Sequence, residues 1–150
     1  MLKYSRMMIL LSLLSILGCK GVQPSDVAGT WVIKDSSRNL LPPELQRATA
    51  TIVLDANGTF IASEIPEELP PAPPYDVKDR KFRMNTGSGD WKLVSSEGKQ
   101  QVQLNFRTLQ GNINVPFGTQ MEVSTGWSSP NLYYFLGDAD EGRRISLVKK

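Results

Sequence analysis

Hydrophobic and polar residues alternate with a period of two along most of the chain. The clearest case is Gln101-Val102-Gln103-Leu104-Asn105-Phe106, which sets Val102, Leu104 and Phe106 on one face and amides on the other. Such a segment is a strand buried on one side only. Runs of four to seven β-branched, aliphatic and aromatic residues, bounded by Gly, Asn, Asp, Ser or Pro, recur at about 30–34, 49–54, 59–64, 90–94, 101–106, 120–124, 132–136 and 144–148. A short extra run lies at 113–115. Eight or nine strands in one domain predict an all-β fold, an antiparallel up-and-down β-barrel or a curled sandwich. The one helical turn expected in this domain lies within 40–47, with Pro43 near its first position, sized to plug a barrel end.

The turns predict the strand order. Asn57-Gly58 tolerates positive φ, and Asp55 precedes it as a turn cap, so 49–54 and 59–64 form a hairpin. Ser95-Ser96-Glu97-Gly98 joins the next pair, and 137–142 joins the last. Gly87-Ser88-Gly89-Asp90 reads as a further turn. Residues 65–75 contain five prolines and read as loop or polyproline II. In Leu132-Tyr133-Tyr134-Phe135-Leu136 both faces are apolar. One of them meets the core and the other a second layer, a loop or a partner.

The N-terminus has a different pattern. Lys3 and Arg6 precede an apolar run at 7–17, and a helix of that length rises only about 17 Å, short of a ~30 Å hydrocarbon core. It reads as the apolar region of an export signal. Ile16-Leu17-Gly18-Cys19 then resembles the bacterial lipoprotein box. The resemblance implies cleavage before Cys19, a diacylglycerol thioether on its sulfur, and attachment to a membrane through that lipid. The expected organisation is a signal at 1–18, a lipidated polar tether at 19–26 and a β domain at 27–150. Lys20, in place of Asp, favours the outer membrane in a cell that has one.

This processing changes the charge. The full chain has 17 Lys and Arg against 15 Asp and Glu, a formal +2. Removing 1–18 takes Lys3 and Arg6 away and leaves the two signs equal, so no general electrostatic attraction to nucleic acid remains.

Composition also limits the chemistry. The chain has no His and one Cys, which excludes Ser-His-Asp and Cys-His nucleophiles, CxxC redox pairs, internal disulfides and Cys/His zinc sites. Asp138, Asp140 and Glu141 are dense in oxygen, but Arg143 and Lys149 occupy the positions where a calcium loop needs Gly and Glu. Glu64, Glu67 and Glu68 flank the proline-rich stretch, where nothing fixes a carboxylate pair. The expectation is a non-catalytic protein without metal or cofactor.

A short motif occurs twice: Gly29-Thr30-Trp31 and Gly89-Asp90-Trp91. The first resembles the Gly-x-Trp signature of lipocalins, and the Asn57-Gly58 turn followed by the second is similar to small lipocalin-like lipoproteins. That resemblance implies a barrel whose base Trp31 closes beneath an arginine from the last strand, Arg143 or Arg144. It further implies a small apolar or amphipathic ligand inside, with Trp31, Phe60, Trp91 and Phe106 as lining or floor. The alternative is an inhibitor or immunity-like protein that binds an envelope protein through the proline-rich loop and the basic segment 78–83. Tyr75, Arg80, Lys81, Arg83 and Tyr134 would then form the contact.

Overall fold

The computed structural model describes residues 21–43, 45–66, 84–110, 116–125, 129–136 and 139–150. Eight strands form a closed barrel in chain order: β1 (Gly29–Ile33), β2 (Thr51–Leu54), β3 (Thr59–Pro66), β4 (Met84–Ser96), β5 (Lys99–Leu109), β6 (Phe117–Ser124), β7 (Asn131–Phe135) and β8 (Arg144–Lys149). Every pairing is antiparallel, and β1 closes the ring on β8 through Val32 opposite Val148. This is the all-β, up-and-down architecture that alternation and turn chemistry predict. The extra run at 113–115 lies outside the described residues.

Closure follows from the pattern. Inward positions carry Trp31, Ile52, Leu54, Phe60, Val102, Leu104, Phe106, Met121, Leu132, Ile145 and Leu147, all at most 2% exposed. Burying such side chains stabilises by roughly 1.5–3 kcal/mol each before conformational entropy is set against it. A closed ring also leaves no sheet edge open.

Three local expectations are corrected. Gly87-Ser88-Gly89 is not a turn but part of β4, and the glycines are there because strands approach too closely for side chains. A Cβ on Gly89 would meet the Asn105 carbonyl oxygen at 1.9 Å, and one on Gly87 would meet Thr108 O at 2.5 Å. The register slips by one residue beside them, with Ser88 opposite Thr108 but Gly89 opposite Phe106, leaving Arg107 as the bulged residue. The described residues of 40–47 form hydrogen-bonded turns in place of a helix, as Leu45 N–H to Pro42 O (2.8 Å) and Ala48 N–H to Leu45 O (3.0 Å). Leu41 and Leu45 join the core. The short helix in this connection lies earlier, at α2 (Asp35–Arg38), after α1 (Pro24–Val27) ahead of β1.

The third correction concerns 22–26, read as free tether. Val22 is 8% exposed and Val27 fully buried. The Val22 N–H donates to Gln100 Oε1 (3.0 Å) while Gln100 Nε2 donates back to Val22 O (3.0 Å). Gln23 and Asp26 form a reciprocal capping box on α1. Four short polar residues thus become part of the barrel because two apolar ones, Val22 and Val27, bracket them.

Candidate functional site

The antiparallel order gives the barrel two ends. At one lie α1, the β2–β3 and β4–β5 turns and the C-terminus of β8; at the other lie residues 34–50 and the connection carrying a 3₁₀ turn at Ala139–Glu141. The four aromatics expected to line a ligand cavity are brought together on the inner face. Trp31 and Phe106 are 0% exposed, Phe60 1% and Trp91 6%. A side chain bordering an open cavity keeps surface that water can reach, and these keep almost none. Phe60 and Phe106 meet edge to face, centroids 4.8 Å apart, the favourable quadrupolar arrangement. Both indole N–H groups are committed to the protein: Trp31 Nε1 donates to Val27 O (2.8 Å) and Trp91 Nε1 to Asp55 O (2.7 Å). All four belong to the buried core.

The base closes without the expected arginine. Arg144 sits at the opposite end of β8, paired with Phe135, and its guanidinium lies 4.9 Å from the Tyr133 ring centroid. The basic residue beside Trp31 is Lys149, its partner across β1 and β8. The Lys149 stem fills the space above Gly29, where a Cβ would meet its Cε at 2.4 Å, and its ammonium donates to Asp26 O (3.1 Å). A lysine stem covering apolar surface with its charge at the rim is ordinary snorkelling. Five residues of strand, about 16 Å, separate the two cations; the Gly-x-Trp resemblance locates the tryptophan but not its cover.

Tyr134, expected to face a partner, is 6% exposed and belongs to the core with Leu132 and Leu136. The outward pair is Tyr133 and Phe135, edge to face at 5.6 Å. Tyr133 Oη donates to Glu122, and Glu122 accepts from Lys99 Nζ at 3.4 Å. The hydrogen bond to Glu122, helped by burial, raises the Tyr133 phenol above its ordinary value of 10.0, so it stays a donor at neutral pH. Lys99, Glu122, Tyr133 and Arg144 thereby cross-link four adjacent strands. The remaining expected contacts, Tyr75, Arg80, Lys81 and Arg83, lie outside the described residues, as do Glu67, Glu68 and Asp138.

The outer surface has two characters. On β4, β5 and β6 it presents Asp90, Lys92, Gln101, Gln103, Asn105, Arg107 and Gln120, with Arg107 forking onto both Asp90 oxygens. On β8, β1, β2 and β3 it presents Val148, Val32, Val53 and Ile61, and Ile61 is 54% exposed. At the far end, β3 carries a bulge at Ser63-Glu64, where Glu64 takes φ 52°. Its carboxylate accepts from the Thr49 hydroxyl and from the Thr49 N–H (3.2 Å), which lowers the Glu64 pKa below its ordinary 4.5.

Polar groups on the inner face gather toward that same end. Asn85 is 3% exposed and Thr119 8%. Among the described residues no three His, Cys, Asp or Glu side chains converge, and no helix is long and apolar enough to cross a bilayer. Cys19 and the rest of 1–20 lie outside those residues. The fold is a closed eight-stranded up-and-down β-barrel with buried aromatic and aliphatic side chains on its inner face. No protein-family model, no curated sequence and no solved structure matches the chain.

Proposed function

We propose that the protein is a non-catalytic lipoprotein of the cell envelope, anchored through Cys19, whose barrel is a rigid scaffold for recognising another envelope protein. The observation that carries the recognition half is the packing of Trp31, Phe60, Trp91 and Phe106: side chains at 0–6% exposure, with both indole N–H groups bonded to main-chain carbonyls and the two phenyl rings to each other, offer a ligand no open surface at these four positions. Recognition then falls to the outside and to the loops. The anchoring half rests on Ile16-Leu17-Gly18-Cys19 after a short apolar run. Pro66 and Met84, which flank the stretch carrying Tyr75, Arg80, Lys81 and Arg83 in the sequence, lie at the end away from Trp31.

A second reading, capture of a small amphipathic molecule, has one foothold. Asn85 is polar, inward and 3% exposed near that end, a position from which an amide can hydrogen-bond a polar head group. One pair of experiments tests both halves. Palmitate is incorporated into the wild-type chain and lost in Cys19→Ser, and labelling of that variant would overturn the anchor. Native mass spectrometry of the domain without its lipid, after exposure to envelope lipid extract, shows the protein mass alone. A stoichiometric adduct would replace protein recognition with the small-ligand reading.

A further inference from the structure

We infer that the Trp31 end of the barrel rests directly on the bilayer surface, so that residues 34–50 and the other loops of the opposite end point away from the membrane. The inference rests on the anchored reading of Cys19 and adds to it an orientation. The geometry that carries it is the clamp between Val22 and Gln100, two reciprocal hydrogen bonds of 3.0 Å, together with the burial of Val22 and Val27.

If 19–26 were a free tether, eight peptide steps would let the domain float about 28 Å from its lipid and turn in any direction. The clamp leaves three. Three steps reach about 11 Å at full extension, which clears the polar layer of one leaflet, roughly 5–7 Å thick, by only about 5 Å. Val22 therefore lies at the head groups, and with it the elements sharing its end: α1, the turn at Asp55, and the close of β8, where Lys149 bonds Asp26 O and the Lys150 N–H donates to Thr30 O (2.9 Å). The opposite end is roughly 25 Å higher, taking ten steps of β5 at 3.3 Å and the usual strand tilt of a barrel.

Charge does not do this. The membrane-facing end carries Lys99, Lys149 and Lys150 against Asp26, Asp55 and Glu97, so attraction to anionic lipid is weak and the short covalent reach sets the orientation. The orientation is then insensitive to salt, unlike a polybasic contact.

The test uses the lipidated full-length protein, in which Cys19 is acylated and no other thiol exists. Single thiols are introduced at exposed turn positions, Ala56→Cys in the β2–β3 turn at the clamped end and Arg47→Cys at the far end, and labelled with a small fluorophore. Each is reconstituted into phosphatidylethanolamine and phosphatidylglycerol vesicles bearing a nitroxide on part of the head groups. The Ala56→Cys label is quenched several-fold more than the Arg47→Cys label, at low and high salt alike. Inserting about twenty Gly and Ser residues between Lys20 and Gly21 makes the two equal. Equal quenching at native length, in protein that carries palmitate, overturns the orientation and leaves the anchor standing. Absence of palmitate from the wild-type chain overturns both.

Discussion

Gly29-Thr30-Trp31 and Gly89-Asp90-Trp91 spell the same motif and solve two different problems. In both, the tryptophan faces inward and its indole N–H reaches a main-chain carbonyl of a flanking turn. For Trp31 that carbonyl is Val27, four residues back, so the first motif closes the base locally. For Trp91 it is Asp55, thirty-six residues away in sequence, so the second ties the β2–β3 turn to β4. The glycines differ more. Gly29 takes φ +140° and yields its space to the flexible Lys149 stem, whereas Gly89 has no positive φ and is required because the Asn105 backbone would lie 1.9 Å from its Cβ. A shared triplet therefore reports a shared tryptophan function, an N–H anchor at a barrel end, while its glycine answers a local backbone demand in one copy and a strand-to-strand distance in the other.

The largest effect that separates them is Gly89→Ala. Backbone atoms cannot move aside as a side chain can, so β4 and β5 must part, which costs about 4 kcal/mol or more. For a domain of this size that lowers Tm by roughly 10–15 °C, read by circular dichroism. Gly29→Ala meets only a strained φ and a lysine stem that can swing away, at about 1–2 kcal/mol. Equal losses in the two variants would refute the distinction.

Next comes the pair Trp31→Phe and Trp91→Phe, measured by urea unfolding. Each removes volume and leaves a carbonyl without its donor. Val27 is fully buried, so its orphaned carbonyl finds no water, and Trp31→Phe costs about 2–3 kcal/mol. Asp55 is exposed; water can replace the indole there, and Trp91→Phe costs about 1–2 kcal/mol. A larger loss at Trp91 than at Trp31 would reverse the ranking.

Much of this was legible in the chain. Period-two alternation located all eight strands, and Asn57-Gly58 and Glu97-Gly98 located two of the turns, because both signals are local. What was not legible depends on distant partners. Gly87-Ser88-Gly89 has turn composition, and only the proximity of Phe106 and Thr108 makes it strand. Val22 looks like part of a polar tether until Gln100, seventy-eight residues on, bonds it at both ends. Leu132-Tyr133-Tyr134-Phe135-Leu136 is apolar on both faces, so alternation could not say which face was core, and Tyr134 was assigned outward when Tyr133 is the residue there.

The smallest effect contrasts the two ends. At the Trp31 end the indole N–H of Trp31 donates to Val27 O and the Val22 N–H to the amide oxygen of Gln100, and neither acceptor is a carboxylate. The far end is fastened to β3 through a carboxylate, Glu64, accepting from the Thr49 hydroxyl and N–H. Those bonds favour the ionised form and lower the pKa below 4.5. A depressed carboxylate contributes stability that is complete above its unfolded pKa and is lost as pH falls through the folded one. The Thr49 amide resonance should therefore titrate with a midpoint below 4.5, while the Trp31 indole resonance stays flat across the same range. In Glu64→Gln the Thr49 titration disappears, since the amide has no proton to gain. Because Glu64 is exposed to solvent the effect on global stability is slight, and the local resonance is the decisive reading. A Thr49 midpoint at or above the ordinary carboxylate value would mean that the bond does not hold this connection to β3.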